Sequence, residues 1–419
     1  MIKKFCFIAV LFIAAFSGKA QEGSTTSPYS SFGVGLQQFR GTVESRAMGG
    51  IQLQRDSLHL NLLNPASLSD IKFTTFTVGV NHQEVNLETT SVEESSSKTT
   101  LDYFALGFPV SKKVGVSFGL MPFTTVGFRI NDVNDDAALV NRFTGRGGIN
   151  RAFVSAGYEI MDGLNVGLSA NYNFGNIQTV SLRSQENIEL ATEERNRQDI
   201  SGLGVELSVQ YERMITDKLK LNTYFKYVPQ GISYTSVNER EISSVQFTAA
   251  GVSVDFETVD VDLPNTNFDY PASFTVGLGI GENNKWFVGA DLTNEKTIRF
   301  ANVSPSPINA TYKNATYFRI GGYYVPKYNS ISSYWERITY RAGFRLEETG
   351  LNISGEDIEE FGISFGVGLP AGRKISNINL TGEYGQRGTT DADLIQENFF
   401  NVGISLSIND LWFVKSKFN

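Results

Sequence analysis

Leu164-Asn165-Val166-Gly167-Leu168-Ser169-Ala170-Asn171-Tyr172-Asn173-Phe174-Gly175 is the stretch from which the fold can be read. Leu164, Val166, Leu168, Ala170, Tyr172 and Phe174 fall on one side, and Asn165, Gly167, Ser169, Asn171, Asn173 and Gly175 on the other. This is the period-two alternation of a β-strand. The polar side is small and uncharged. A soluble sandwich turns its polar face to bulk water and tends to charge it, whereas a face of glycine, serine and asparagine suits the close-packed interior of a ring.

The pattern recurs. Leu203, Val205, Leu207, Val209 and Tyr211 alternate with Gly204, Glu206, Ser208, Gln210 and Glu212, while Ile363 to Leu369 and Val402 to Ile408 alternate with glycine and serine. About fourteen such segments are predicted: 72–88, 99–110, 114–130, 151–160, 164–180, 199–215, 218–235, 270–281, 285–299, 314–325, 337–347, 360–370, 376–387 and 398–409. The links between them alternate in length. Short ones lie at Ser111-Lys112-Lys113, Met161-Asp162-Gly163, Thr216-Asp217, Glu282-Asn283-Asn284 and Ala371-Gly372-Arg373; long polar ones run from Glu88 to Lys98, Arg183 to Gln198 and Glu347 to Glu359. Short periplasmic turns and long extracellular loops are the mark of an outer-membrane barrel. The link Lys327 to Glu336 is longer than its class. The predicted fold is therefore all-β: a transmembrane antiparallel β-barrel of about fourteen strands.

Composition agrees. Phe (31), Tyr (17) and Gly (40) are abundant, Pro (11) and Met (5) scarce, and the mean hydropathy is -0.16, as expected when an apolar outer face alternates with a polar lumen. With 44 acidic against 36 basic residues, nothing favours nucleic acid. Residues 1–20 read as a secretory signal, with Lys3 and Lys4, an apolar run from Phe5 to Phe16, and Gly18-Lys19-Ala20 before a mature start at Gln21. The run is well short of the roughly 20 apolar residues of a membrane anchor. The one cysteine, Cys6, falls inside this signal, so the mature chain has no thiol for a disulfide, a metal or a lipid.

Residues 21–70 lack strand periodicity. Gly49 and Gly50, Asn64-Pro65-Ala66 and a scatter of buried-type residues (Met48, Ile51, Leu53, Leu60) suggest a compact piece packed against something, rather than a periplasmic tail. The division expected is signal 1–20, N-terminal segment 21–70 and barrel 71–419.

In its order of features the chain resembles the FadL-type outer-membrane transporters of hydrophobic compounds. Arg46-Ala47-Met48-Gly49-Gly50, Asp56 and Asn64-Pro65-Ala66 resemble that family's hatch, which ends in an Asn-Pro-Ala motif inside the barrel; Pro122-Phe123 resembles its Pro-Phe element; Pro271-Ala272-Ser273, Gly277, Trp286, Gly289 and Asp291, then Arg319-Ile320-Gly321, Tyr323 and Arg341-Ala342-Gly343-Phe344, resemble its later strands. Ser67 stands where the family usually has glycine, and the chain before Arg46 is longer than a typical leader. The resemblance implies a hatch within the lumen, a hydrophobic small molecule as cargo, and a lateral window near Pro122.

Proline lacks the N–H a ladder needs, so Pro122 and Phe123 mark either that window or a bulge near the rim. If Phe318, Ile320 and Tyr324 face lipid, then Arg319, Arg341, Arg345 and Glu383 face inward beside Asp291. Arginine at the lipid midplane would cost about 2–4 kcal/mol. Such a cluster either binds a carboxylate or gate, or is a structural network of paired charges. His59 and His82 are too few for zinc, Asn131 to Asp136 lacks the full calcium-loop spacing, and Gly145-Arg146-Gly147-Gly148 lacks the Lys-Ser/Thr of a phosphate loop. No nucleophile, base and acid are spaced for catalysis, and no cofactor is implied. The function expected is passive uptake of a small hydrophobic, fatty-acid-like molecule across a Gram-negative outer membrane, in contact with its lipid. A non-transporting subunit bound to other outer-membrane proteins is the alternative, and a porin for polar solutes stands third.

Overall fold

The computed structural model describes residues 25–134, 139–230, 233–247, 253–269, 271–297, 310–371 and 376–411. The signal at 1–20, Cys6 and the start at Gln21 lie outside these. No helix among the described residues is long and apolar enough to cross a membrane; the chain crosses with strands.

Fourteen antiparallel strands close into a ring. They are β1 (Thr74–Glu88), β2 (Glu93–Pro109), β3 (Val114–Asn134), β4 (Leu139–Met161), β5 (Leu164–Gln185), β6 (Ala191–Met214), β7 (Leu219–Val228 and Ser233–Phe247), β8 (Ser253–Asp262, Thr266–Asp269 and Ser273–Glu282), β9 (Trp286–Glu295), β10 (Ala310–Tyr312 and Ala315–Tyr324), β11 (Thr339–Ile353), β12 (Glu356–Ala371), β13 (Ser376–Arg387) and β14 (Gln396–Asp410). The pieces of β7 and β8 count as one strand each because both pieces of β7 pair with β6, and the three pieces of β8 pair in sequence with them. Closure comes from β14, which pairs with β1 from Gln396–Glu88 to Asp410–Thr74.

The strands are inside out relative to a soluble protein. On β5, Asn165 and Asn173 are fully buried while Leu168 and Tyr172 are about half exposed. Polar side chains fill the lumen, where most find a partner, as Asn173 does with Arg151 and Asn171 with Glu206, and the apolar set faces outward, where lipid covers it.

The strands run further than the alternation indicated. β4 begins at Leu139 instead of near 151 and β6 at Ala191 instead of near 199. The expected long loops at 88–98, 183–198 and 347–359 are largely strand: β1 and β2 are joined by 89–92, β5 and β6 by 186–190, and β11 and β12 by Ser354-Gly355. In segments such as Glu193-Glu194-Arg195-Asn196-Arg197 charged and polar residues occupy both faces of the strand, so no apolar row marks them. At about 3.3 Å per residue and a tilt of about 40°, the 23 residues of β4 rise roughly 55–60 Å, twice the ~25 Å apolar band.

The segment before β1 touches strands on every side of the ring, which puts it within the lumen. The one-turn helix Val43–Arg46 is N-capped by the Thr42 side chain, which accepts from Ser45 N, and ends in a Schellman motif: Gly50 N donates to Ser45 O (2.8 Å) and Gly49 N to Arg46 O (3.0 Å). Gly49 and Gly50 both have positive φ, 68° and 82°, which a side chain would resist. Their backbone lies directly on the wall. A Cβ at Gly343 would collide with Gly49 N and Met48 C, one at Gly321 with Met48 O, and one at Gly167 with Ala66 N. On the barrel's inner face these glycines make room for the backbone of the N-terminal segment.

Candidate functional site

Asn64 begins the short 3-10 helix Pro65–Asp70. Its side chain caps Ala66 N (3.1 Å) and its amide donates to Gln210 Oε1 on β6 (2.7 Å); Ser208 Oγ also accepts from Ala66 N (2.9 Å). Asn64 and Ala66 are fully buried. Proline suits the first helical position, where its missing N–H has no partner to lose. On the opposite side, Gly49 N donates to Ser364 Oγ on β12 (3.0 Å), and between the two Gln52 N donates to Asp291 Oδ2 on β9 (2.7 Å).

At Pro122 the wall changes. The β2–β3 ladder runs from Pro109–Gly115 only to Phe104–Leu120. Beyond it β2 pairs with β1 alone, and β3 with β4 across a register shift between Pro122 and Thr124 that leaves Phe123 as the extra residue. A second shift, on β2, leaves Asp102 unmatched between Tyr103 and Leu101. The two irregularities face one another across the break.

The exposed edge of β3 is covered from within. Leu36 and Gln37 pair with Thr125 and Thr124, Gln38 N donates to Phe123 O (3.0 Å), Thr124 Oγ1 to Val34 O (2.7 Å) and Gly127 N to Ser30 Oγ (3.0 Å). Backbone groups without a ladder partner find one in residues 30–38, as an apolar surround demands. Phe123 points inward, with the Arg151 guanidinium 4.3 Å from its ring centre and that of Arg40 at 5.7 Å. Arg151 is held by Glu206 (2.9 Å) and Asn173 (2.9 Å). Asp102 accepts from Arg46 (2.8 Å). Behind the break lies a cavity of about 260 Å³, bordered by Lys98 and Thr100 on β2, Phe123 on β3, Phe39 of the N-terminal segment, and Tyr317 and Arg345 across the lumen.

Of the five charged residues expected inside, four join one network. Arg319 reaches Asp291 (3.5 Å) and Glu347 (3.3 Å); Arg345 reaches the same Glu347 (3.3 Å), Glu383 (2.7 Å) and Glu360. Arg341 stands apart and donates to Asn379 Oδ1 (3.1 Å). The network continues through residues the sequence reading did not single out: Arg387 bridges Glu360 and Glu397, and Glu397 accepts from Ser27. Buried charges paired this densely are costly to break singly. Strand parity reaches two residues left unselected, since Glu206 and Gln210 share the polar side of the Leu203–Tyr211 alternation. Asp102 and the covering residues 30–38 carry no such signal.

Among solved structures, the toluene transporter TodX of P. putida is 17% identical with a TM-score of 0.58, over 89% of this chain and 100% of that one. A FadL homologue of Pseudomonas aeruginosa is 12% identical with a TM-score of 0.57, over 89% and 98%, and the CymD monoaromatic hydrocarbon channel 13% identical with a TM-score of 0.54, over 90% and 99%. At these identities the likeness is one of fold: a FadL-like outer-membrane β-barrel, as the resemblance implied. Among curated proteins no sequence matches. A family model described as BamG matches residues 1–419, and the chain belongs to the BamG family.

Proposed function

We propose that this barrel is a passive conduit for a small hydrophobic molecule, which leaves sideways through the wall between β2 and β3. One observation carries the reading: the ladder break at Phe104–Leu120 has the lumen cavity directly behind it, and Phe123 borders both. A solute in that cavity would enter lipid without crossing the periplasm. Residues 30–38 act as the gate, the segment 21–70 as the hatch and Asn64-Pro65-Ala66 as its anchor, while the network around Arg319 and Arg345 holds the hatch's far side. The neighbours of like fold are described as a toluene transporter and a monoaromatic hydrocarbon channel. With no energy-coupling motif in the sequence, a gradient or consumption downstream would drive the flow.

A disulfide tests the gate. Leu36 and Thr125 are directly paired partners, at a spacing that antiparallel neighbours share with disulfides, and Cys6 is the sole native cysteine. Oxidised L36C/T125C is expected to lose uptake of a hydrophobic probe such as toluene and to regain it on reduction. Unchanged uptake by the locked protein would remove the gate.

A second reading has its own observation. The hatch is bonded to the wall on opposite sides, at Ser364 on β12 and Gln210 on β6, and the cavity is small, which also suits a non-transporting subunit of a larger outer-membrane assembly. A wild-type barrel that carries no hydrophobic probe in vesicles, yet leaves native membranes in stoichiometric complex with other proteins, would favour it.

A further inference from the structure

The link between β10 and β11 is longer than the described turns at the same end of the barrel, such as Asp162-Gly163 between β4 and β5. It is an ordered loop. Lys327 N donates to Glu336 O (2.8 Å) and closes the neck; Ser330 N donates to Lys327 O (3.1 Å), and Arg337 N to Tyr334 O (3.0 Å). The Arg337 guanidinium lies 5.4 Å from the centre of the Tyr334 ring, and that ring meets Trp335 edge-on at 6.3 Å. The Tyr334 hydroxyl donates to Pro370 O on β12 (3.1 Å).

This fixed backbone holds apolar side chains away from the protein. Ile331 is 103% exposed and Trp335 71%. Left in water, each forgoes the burial that normally accompanies side chains of this size. Position along the rim identifies the cover. Tyr340 belongs to the outward row of β11, between buried Arg341 and the loop, and its hydroxyl donates to Trp335 O (3.4 Å). Outward-facing Val367 pairs with it on β12. Trp335 therefore continues the lipid-facing wall past its last strand residue, at the level where barrels place their aromatic girdle.

We propose that the loop 325–338 is a lipid-surface contact, resting in the headgroup layer of the periplasmic leaflet with Trp335 and Ile331 inserted. Trp and Tyr are favoured at that depth because one end of the ring system is apolar and the other forms hydrogen bonds. Lys327, exposed at the neck, stands where lipid phosphates would lie.

The test uses the mature chain with Trp286 and Trp412 replaced by phenylalanine, which leaves Trp335 as the sole tryptophan, in phosphatidylcholine vesicles whose acyl chains are brominated at graded depths. The expected result is blue-shifted emission, quenched most by the shallowest bromines and little by aqueous iodide. Emission quenched freely by iodide and untouched by bromine overturns the proposal and leaves the loop for a periplasmic protein partner. An environment-sensitive dye on Ile331→Cys gives the same reading with all tryptophans kept: a blue shift on vesicle insertion supports the contact, and unchanged aqueous emission refutes it.

Discussion

Asn64→Ala should loosen the N-terminal segment far more than its small volume change suggests. The side chain makes two buried contacts: its oxygen caps Ala66 N, and its amide donates to Gln210 Oε1 at 2.7 Å. Loss of a cap costs about 0.5–2 kcal/mol. Ser208 Oγ also accepts from Ala66 N, so the lower part of that range applies, about 1 kcal/mol. Gln210 cannot turn to find a new donor without giving up its own bond from Nε2 to Leu53 O (2.7 Å), and an orphaned buried acceptor costs about 1–3 kcal/mol. The sum, roughly 2–4 kcal/mol, corresponds to about 30- to 900-fold faster opening at 1.36 kcal/mol per decade. Hydrogen exchange of the amides of residues 66–71, in detergent or vesicles, reads that opening directly, whereas a melting temperature would be dominated by the barrel. Asn64→Ser keeps a capping oxygen and should recover only the smaller part. A double-mutant cycle with Gln210→Ala should show a coupling of about 1 kcal/mol or more, as expected for direct contact. Exchange within a factor of two of wild type in Asn64→Ala would refute the anchor.

Gly343→Ala puts a methyl group against Gly49 N; overpacking of about 1–3 kcal/mol should appear as faster exchange at residues 48–50, with the β11–β12 ladder unchanged. Replacing Arg345 by Met leaves Glu360 and Glu383 facing one another without their shared cation; a loss of about 3–5 kcal/mol in barrel stability is expected, read from unfolding in urea with lipid vesicles, and much less if Glu383→Gln accompanies it. Phe123→Ala should enlarge the cavity at the ladder break and raise uptake of a hydrophobic probe, and a fall would count against that path. Mass spectrometry of the mature protein should place its first residue near Gln21, with Cys6 gone.

The membrane strands were legible because lipid enforces alternation. Residues such as Leu168 and Tyr172 must be apolar wherever they meet hydrocarbon, so a count of about fourteen strands and short turns such as Asp162-Gly163 could be read directly. That constraint ends at the membrane surface, which is why 139–150 and 191–198 read as loops although they are strands. Inward charge was legible from the same parity. What parity cannot supply is distance around the ring: Arg341 has the same orientation as Arg345 yet binds Asn379 instead of the acidic network. The pairing of Leu36 and Gln37 with β3 is two residues long and joins positions far apart in sequence, below the length at which a pattern can register. Pro122 announced a broken ladder but not what covers it.

Closure of β14 onto β1 sets an order on biogenesis. Ser27 bonds Glu397, and Glu44 accepts from Ser405 and Ser407, so the first of the described residues pack against the last strand of the barrel. These are among the contacts of highest sequence separation in the described residues, and such contacts are slow to form. Once the seam has zipped, a folded segment bonded on opposite sides could not be threaded through the lumen past Gly343 and Gly167. The N-terminal segment must therefore be held inside an open sheet until the C-terminal strand arrives, and a chain delayed at that seam would expose two unpaired edges at once.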